Sequence, residues 1–432
     1  MEFEKELITF RRDIHKYPEN AWAEYRTTVK IIRELEKMNI PYLYGKKIHT
    51  TGQRVNLQTE EYDKACMERA IAETGEETLI KEMAGGYTGV IAYLDGKLPG
   101  PVIAVRCDID CNEVQEDMSS DRKAVQEGYA SVHPGLMHAC GHDTHITMGL
   151  GALKLLKENI EHLRGRVMLV FQPAEEGGRG ALSLVGAHMF DDVDYFFALH
   201  GGQINEPVGS IYSSAKGLSV GYKVNFYFKG KASHAGNSPQ NGHNALLAAS
   251  NAAINLYAIP RHSAGWSRVN VGVMNAGTGR NVIPDSAEML AEVRGETNEI
   301  RDYMFERALS VCKGAAEMQE CEFSYDIKVR TSSVSCDIEM IEIVEAAAPR
   351  VAGFKKIARN LDFRGGGDDA AHIINEVQKH GGRATYIKMG SGSTVPLHDS
   401  SFEVDEAVLS FGAHLITEIV EEAGRRTGNN AF

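Results

Sequence analysis

Long apolar runs are missing from this 432-residue sequence, and so is an excess of basic side chains. No stretch is long and apolar enough to span a bilayer, and the charged segment from Met1 to His15 lacks the apolar core of a secretory signal. The formal net charge of -13 argues against nucleic acid and anionic membranes as partners, because both would meet a repulsive field. We therefore expect a small-molecule ligand, with no nucleic acid and no membrane as partner.

The cysteines also lack the pattern of a disulfide framework, because all seven are widely scattered and their number is odd. This usage is typical of a protein in a reducing compartment, and we expect a cytoplasmic location. With 43% apolar residues the chain can bury large cores, and its length favours two domains over one. No internal repeat and no low-complexity tract interrupts the sequence.

Short apolar segments alternate with helical patterns along most of the chain. The strand candidates are residues 89–94, 102–106, 167–171, 195–199 and 384–389. A helical stripe from Ile146 to Leu163 precedes the third of them, and Asp143 or Thr144 is expected to cap its start. This alternation predicts an α/β fold, in which helices flank a mainly parallel sheet.

The sequence pattern changes between about residues 216 and 330. Alternating strands at 220–228 and 268–274 combine there with helical runs at 243–259 and 303–318. We predict a smaller α+β domain at residues 216–330, inserted into a larger domain made of residues 1–215 and 331–432. The polar segment 46–82 has no evident role.

Metal-capable side chains are densest just before the helical stripe. The segment is His138-Ala-Cys140-Gly-His142-Asp143-Thr-His145, and Asp108-Ile-Asp110 precedes it at the end of a strand. Thiolate, imidazole and carboxylate are the groups that bind divalent cations. A single buried cysteine is more often a small hydrophobic residue than a ligand. Four potential ligands within eight residues nevertheless favour a metal site.

Three other predicted strands lead to residues of the same kinds. Glu175 and Glu176 follow strand 167–171 after a proline, His200 follows strand 195–199, and His398 comes after strand 384–389 and a glycine-rich loop. A pair of glutamates in a solvated helix would mean little, but this pair lies in a loop. Because open α/β sheets collect ligands at the carboxyl ends of their strands, the sequence predicts one site across that edge.

The order of these motifs resembles the co-catalytic metallopeptidase and amidohydrolase family that includes carboxypeptidase G, hippurate hydrolase and the plant auxin-conjugate hydrolases. His-Ala-Cys-Gly-His-Asp at 138–143 and Gln-Pro-Ala-Glu-Glu-Gly at 172–177 carry the resemblance, which runs over nearly the whole chain. Stretches 84–89, 242–249 and 268–274 are similar to a branch that acts on p-aminobenzoyl-glutamate. The resemblance implies a metal-dependent amidohydrolase that cleaves N-acyl or N-aroyl amino acids such as p-aminobenzoyl-glutamate.

Residue by residue, the resemblance implies two divalent metal ions in each chain, either manganese or zinc. It places their ligands at Cys140, which bridges the two ions, and at His142, Glu176, His200 and His398. It implies that Glu175 is the general base, which agrees with the need for one glutamate that moves a proton rather than holding metal. Asp110 is expected to lie behind the ligands and support them. The larger domain is therefore expected to be the metal-binding catalytic domain.

The inserted domain carries further matches to the family, at residues 232–235, at residues 281–284 and at Arg294. They imply a dimerisation and lid domain, in which His234 and Asn281 polarise the scissile carbonyl. Arg294 is expected to bind the substrate carboxylate, for which its planar fork is suited. Because His234 acts on the neighbouring chain in this family, a homodimer or a heteromer with a related chain is expected.

Two segments depart from the family pattern. Residues 108–113 have Asp-Ile-Asp-Cys-Asn-Glu where Asp-Met-Asp-Ala-Leu-Pro is usual, and residues 366–369 have Gly-Gly-Asp-Asp where Gly-Ser-Glu-Asp is frequent. The alternative to an enzyme is a non-catalytic or half-catalytic subunit that completes a related partner chain. A metal-storage module accounts poorly for an uncoordinated glutamate, and the full ligand set favours the enzyme.

Overall fold

The computed structural model describes residues 2–218, 220–362 and 366–429. Its α-helices are α1 (Glu2–Lys16), α2 (Tyr25–Lys37), α3 (Glu60–Thr74), α4 (Glu77–Glu82), α5 (Lys123–Gln126), α6 (His142–Glu158), α7 (Ala181–Gly186), α8 (Ala245–Tyr257), α9 (Asn298–Glu317), α10 (Ile338–Ala347), α11 (Ala370–Lys379) and α12 (Ala407–Asn429). Its strands are β1 (Tyr42–Tyr44), β2 (Val90–Asp95), β3 (Leu98–Asp108), β4 (Arg164–Gln172), β5 (Tyr195–Gln203), β6 (Ser210–Tyr212), β7 (Ala215–Lys216), β8 (Val220–Lys229), β9 (Ser233–His234), β10 (Ser267–Ala276), β11 (Val282–Ile283), β12 (Ser286–Gly295), β13 (Glu322–Thr331), β14 (Lys356–Ala358), β15 (Leu361–Asp362) and β16 (Arg383–Gly390).

The chain divides into two units. The first comprises Met1–Lys216, Val334–Phe363 and Asp369–Phe432, and the second comprises Gly217–Ser333 and Arg364–Asp368. The catalytic and lid roles that the sequence analysis gives to its two domains stay predictions.

An eight-stranded sheet forms the centre of the first unit, in the order β1-β2-β4-β3-β5-β16-β6-β14. Its four central strands, β4, β3, β5 and β16, run parallel to one another. The strands β2 and β6 that flank this group pair antiparallel with it. The predicted α/β fold with a mainly parallel sheet is confirmed, and its antiparallel pairs lie outside the four central strands.

Helices cover both faces of this sheet. In β5, Tyr195, Phe197 and Leu199 pack in one apolar cluster with side chains of α6 and α12, whereas Phe196 and Ala198 pack in a second cluster with α11. Successive side chains of a strand point to opposite faces, so a strand covered on both sides needs an uninterrupted apolar run. This is why the buried strands are recognisable in the sequence.

The start of α6 differs from the prediction. Gly141, at a φ of 83°, is the cap residue, and neither Asp143 nor Thr144 caps the helix. Asp143 is instead inside the first turn, where its carboxylate pairs with Arg11 at 2.7 Å. The predicted cap was therefore wrong, because glycine adopts the left-handed conformation at little cost and lets the helix begin at His142.

The second unit has the α+β composition expected of the inserted domain. Its sheet is antiparallel throughout, in the order β10-β12-β8-β13. Alanines of α8, including Ala248 and Ala252, and residues of α9 such as Phe305 pack with Phe226 and Phe228 of β8 in one apolar core. Small side chains on α8 allow the helix to approach the sheet closely. Among the described residues of either unit, no helix has the length and apolar character to cross a membrane.

Candidate metal centre

The five predicted ligands come together in the first unit. The Sγ of Cys140 lies 3.4 Å from Nε2 of His200. Oε1 of Glu176 lies 3.4 Å from Nε2 of His398 and 4.0 Å from Nε2 of His142. Two compact triads result, Cys140-His142-His200 and Cys140-Glu176-His398, and within each the ligand atoms lie within 4.8 Å of one another. Cys140 belongs to both triads.

The imidazole of His142 is oriented by the backbone behind it. Its Nδ1 lies 2.8 Å from the carbonyl oxygen of Asp110. A carbonyl oxygen only accepts hydrogen bonds, so Nδ1 carries the proton and Nε2 presents a lone pair. That Nε2 atom is buried and has no hydrogen-bond partner. A histidine fixed by its second nitrogen in this way is the usual arrangement of a metal ligand.

His200 has the same arrangement, although it lies within β5 rather than beyond its end. Its Nδ1 lies 2.7 Å from the carbonyl oxygen of Gly201 and therefore donates, which leaves Nε2 with a lone pair toward Cys140. Burial, followed by the nearby Lys388, lowers the pKa of His200 well below its usual value. The ring is therefore neutral near pH 7, as a metal ligand must be.

The donor set fits divalent cations. Nε2 of His142 and Oε1 of Glu176 are both buried without a hydrogen-bond partner. A buried polar atom without a partner costs about 1–3 kcal/mol of stability and calls for an explanation. Two such atoms from different strand ends, directed to one thiol, have the chemistry and the spacing of a two-metal site.

His145 does not share this property, although it lies in the same motif. Its Nδ1 contacts Asp108, and its Nε2 accepts the main-chain N–H of Gly201 at 2.8 Å. Asp108 is occupied as well, because its second oxygen accepts a hydrogen bond from Arg106 at 2.5 Å. Both residues already use these atoms within the protein, so we regard both as support for the strand ends.

Protons hold the triads together where cations are absent. Hydrogen bonds with Cys140 and Glu176 raise the pKa of His398 to about 10. Burial, and then the charge of Glu176, raises the pKa of the Cys140 thiol. Cations that bind here have to displace these protons, so metal affinity increases with pH.

The loop that carries Glu175 and Glu176 is held by Asp110. One carboxylate oxygen of Asp110 accepts the N–H of Glu175 at 3.0 Å, and the other accepts the N–H of Glu176 at 2.9 Å. Asp110 is fully buried, and the backbone of the same residue positions His142. The supporting place predicted for Asp110 thus has a definite geometry, because one residue orients the glutamate pair and a histidine.

A second carboxylate holds the same loop one residue earlier. Glu24, fully buried before α2, accepts the N–H of Ala174 at 2.7 Å and the hydroxyl of Thr88 at 2.6 Å. Ala174 has a φ of 54°, in the left-handed region that non-glycine residues rarely adopt. Burial, and then the charge of Asp110, raises the pKa of Glu24 to about 8.

Asp369 holds the far end of this loop. Its Oδ2 accepts the N–H groups of Gly180 at 3.0 Å and Ala181 at 2.9 Å. Its Oδ1 accepts hydrogen bonds from Arg106 at 3.0 Å and from Gln172 at 2.8 Å. The departure from the family pattern at 366–369 therefore leaves a carboxylate that reaches the glutamate loop.

The three residues predicted for the lid belong to the second unit. His234 in β9 is opposite Val282 in β11, so His234 and Asn281 lie on adjacent segments. Nδ1 of His234 accepts the N–H groups of Gly236 at 3.1 Å and Asn237 at 3.0 Å, which leaves the proton on Nε2. Arg294 in β12 pairs with Glu292 at 2.9 Å.

The sequence analysis missed the roles of Glu24, Arg106 and Asp369. Glu24 lies at the start of a helix, where an acidic residue has no distinguishing spacing. Asp369 was noticed only as a departure from the family pattern. The contacts of these residues join segments that are far apart in the chain, and no local signal in one sequence reports such contacts.

Comparison with known proteins gives a consistent result. A model of peptidase family M20/M25/M40 matches residues 104–422. Indole-3-acetyl-aspartic acid hydrolase of Enterobacter agglomerans is 38% identical, over 95% of this chain and 94% of its own length. One subunit of p-aminobenzoyl-glutamate hydrolase from Escherichia coli K12 is 37% identical, over 95% and 94%. A crystal structure from Bacillus subtilis, described as a dinuclear metal-binding peptidase of the M20 family, has a TM-score of 0.70 at 27% identity, over 98% of this chain and 99% of its own.

Proposed function

The chain belongs to peptidase family M20/M25/M40 and is a hydrolytic enzyme that acts on amide bonds, and we propose that it cleaves N-acyl or N-aroyl amino acids at a two-metal site. p-Aminobenzoyl-glutamate or a related conjugate is the proposed substrate. One observation carries the proposal: two triads of ligand atoms share Cys140, and the histidine lone pairs are directed toward it. The two relatives named above support the substrate class, since both are named for hydrolysis of an acyl amino acid.

The metal site is proposed to hold zinc or manganese. The thiolate of Cys140 favours a softer ion such as zinc, and the family resemblance suggests manganese as well. The proposed ligands are Cys140, His142, Glu176, His200 and His398. When bound, the ions supply Lewis acidity for the scissile carbonyl and lower the pKa of the attacking water.

Glu175 performs the proton transfers in this proposal. It is buried beside the triads, and its main-chain N–H is fixed by Asp110. Its carboxylate takes a proton from the attacking water and delivers a proton to the nitrogen of the leaving amino acid. Fixing the backbone on both sides of Glu175 lowers the entropy cost of bringing the base to the water.

His234, Asn281 and Arg294 complete the proposed site from the second unit. Because the proton of His234 resides on Nε2, this side chain is a hydrogen-bond donor suited to the oxyanion of the tetrahedral intermediate. Asn281 would donate to the same oxygen. Arg294 has a planar fork that binds the α-carboxylate of the substrate in bidentate fashion.

We propose that two chains associate through the second unit. On α8, Leu247, Ile254 and Tyr257 are exposed, and Ile254 is 71% exposed. Strand β10 lies at one edge of its sheet and exposes Val273 and Met274. Exposed apolar side chains beside an open strand edge are typical of an interface. The partner is a second copy or a related chain, since one relative is named as one of the subunits of its hydrolase.

A reducing, cytoplasmic location is proposed as well. All seven cysteines lie within the described residues and are free thiols. Cys140 has to be a reduced thiolate to bind metal, so an oxidising compartment would compete with the proposed function. Labelling of the native cysteines in intact cells, before and after lysis, measures whether they are reduced in place.

The decisive experiment is an assay of the purified single chain, loaded with zinc or manganese, on a panel of N-acyl amino acids. The proposal expects release of the free amino acid from p-aminobenzoyl-glutamate or a related conjugate, and its loss on chelation. If the metal-loaded chain is inactive alone but gains activity with a related partner chain, the non-catalytic or half-catalytic subunit is the correct assignment.

A further inference from the structure

Arg179 lies on the glutamate loop and lacks a counter-ion. It follows Glu176 by three residues, and its Nε is buried without a hydrogen-bond partner. No ion pair of Arg179 exists within residues 2–218, 220–362 and 366–429. The fully buried arginines of the first unit behave differently, since Arg11 pairs with Asp143 and Arg106 with Asp108 and Asp369.

The guanidinium of Arg179 is held against the glutamate loop. A Cβ placed on Gly177 would lie 3.0 Å from Nε of Arg179 and 3.5 Å from its Nη2. The main chain is fixed there, because Arg179 donates to the carbonyl of Ala174 at 3.1 Å and Gly178 donates to that of Glu175 at 2.7 Å. The cation therefore lies beside the residue that follows Glu176, next to the proposed reaction site.

Such a cation favours an anionic ligand. The chain has a net charge of -13, so acidic side chains are abundant, yet none pairs with Arg179 among the described residues. A partly buried donor without a partner is unfavourable, and this cost is recovered when an anion binds. A planar guanidinium matches a carboxylate in geometry as well as in charge.

We infer that Arg179 binds the side-chain carboxylate of the substrate's amino acid and makes the enzyme selective for conjugates of glutamate and aspartate. The inference rests on the proposed function, in which Arg294 binds the α-carboxylate. A substrate with two carboxylates then meets two arginines from different parts of the chain. Conjugates of neutral amino acids leave Arg179 without a counter-ion and bind less tightly in the transition state.

The test compares N-benzoyl-glutamate with N-benzoyl-glutamine, which differ in one charge and hardly in shape. We expect wild type to prefer the glutamate conjugate in kcat/KM. Arg179→Met should lower the ratio of the two kcat/KM values by about tenfold or more, the effect of one charge-assisted hydrogen bond. Arg179→Lys keeps the charge without the fork and should retain part of the preference.

The matched control is Arg166→Gln. Arg166 lies at the start of β4, opposite the end that leads to the glutamate loop, and pairs with Asp95 at 2.6 Å. Its substitution should leave the ratio unchanged. Titration calorimetry of the products, L-glutamate against L-glutamine, provides a measurement that does not depend on turnover, and Arg179→Met should lose the discrimination there too.

The outcomes separate this inference from the proposed function. If wild type hydrolyses neither conjugate nor any other acyl amino acid, the proposed function is wrong. If wild type is active but Arg179→Met lowers both kcat/KM values equally, Arg179 binds the α-carboxylate or supports the loop, and the inference is overturned. Should Arg179→Met fail to melt cooperatively, Arg179→Lys and Arg179→Gln replace it in the same comparison.

Discussion

Glu24 accepts the main-chain N–H of Ala174 at 2.7 Å, so a carboxylate near the start of the chain fixes the residue that directly precedes Glu175. The left-handed φ of 54° at Ala174 costs about 1–2 kcal/mol in a non-glycine residue, and it persists only where its surroundings enforce it. We regard Glu24 as a positioning residue for the catalytic loop.

Glu24→Ala should lower kcat by roughly tenfold to a hundredfold, because small displacements of a base are costly, while the metal content stays at the wild-type level. Glu24→Gln retains an oxygen for Ala174 and should keep most of the activity. Steady-state kinetics and elemental analysis measure the two quantities. A proportional loss of metal and activity in Glu24→Ala would contradict the positioning role.

Glu19 provides the control for this prediction. It is fully buried and accepts the N–H groups of Arg26 at 2.9 Å and Thr27 at 2.8 Å, at the start of the same helix α2. Glu19→Gln should lower the unfolding temperature without a change in kcat. An equal loss of kcat in the two series would show that damage to this region, and not Glu24 itself, slows catalysis.

The two glutamates of the loop should separate in their effects. Glu175→Gln should retain metal and lower turnover by about a hundredfold or more, the share of general acid–base catalysis. Glu176→Gln should lose metal, because Oε1 of Glu176 belongs to the triad with Cys140 and His398. Metal analysis of both purified variants decides the assignment, and the opposite pattern would reverse it.

Glu406 should contribute to stability in a pH-dependent manner. Burial opposes its charge, but hydrogen bonds from Arg12 and Lys123 lower its pKa to about 2. A carboxylate whose pKa is lowered on folding stabilises the protein above its unfolded pKa, about 4.3, and this contribution is lost as the pH falls toward 2. We expect Glu406→Gln to lower the free energy of unfolding by about 1–2 kcal/mol at pH 6, after allowance for solvent screening.

Urea unfolding at a series of pH values from 6 to 3 measures this contribution. The difference between wild type and Glu406→Gln should shrink as the pH falls through this range. Glu403, whose Oε2 lies 3.4 Å from Arg122, is a nearby carboxylate with weaker contacts and serves as the control. A difference that stays constant across the pH range would show that Glu406 acts through packing alone.

His234 should act across the proposed dimer. His234→Ala and Glu175→Gln are each expected to be nearly inactive, and an oxyanion donor such as His234 contributes about 3 kcal/mol. Mixed dimers contain one site with both lesions and one site with neither, so activity should return after the chains exchange. If mass spectrometry detects mixed dimers that remain inactive, His234 does not serve the neighbouring chain.

Much of the fold was predictable because burial imposes simple patterns. The strands β3, β4, β5 and β16 are apolar runs, and helices between them leave few alternatives to a parallel sheet. The convergence of Cys140, His200 and Glu176 follows from the same argument, since each lies at or beside the carboxyl end of a strand in one sheet.

The remainder was not predictable, because it depends on contacts between distant segments. The hydrogen bond between Glu24 and Ala174 spans 150 residues of sequence. The exclusion of His145 as a ligand required its contacts with Asp108 and Gly201, since its motif alone made it equal to His142. The position of Arg179 depended on the conformation of one loop.

The strand order has a consequence for biosynthesis. Strand β16, Arg383–Gly390, lies between β5 and β6 in the large sheet, so that sheet stays divided until residue 390 has left the ribosome. The sheet of the second unit is complete at Thr331. Because chains emerge from the amino terminus, the inserted segment can fold while two halves of the large sheet still await their connecting strand. Ribosome-bound nascent chains that end beyond residue 331 but before 383 should therefore contain a protease-resistant fragment of the second unit and an open first unit.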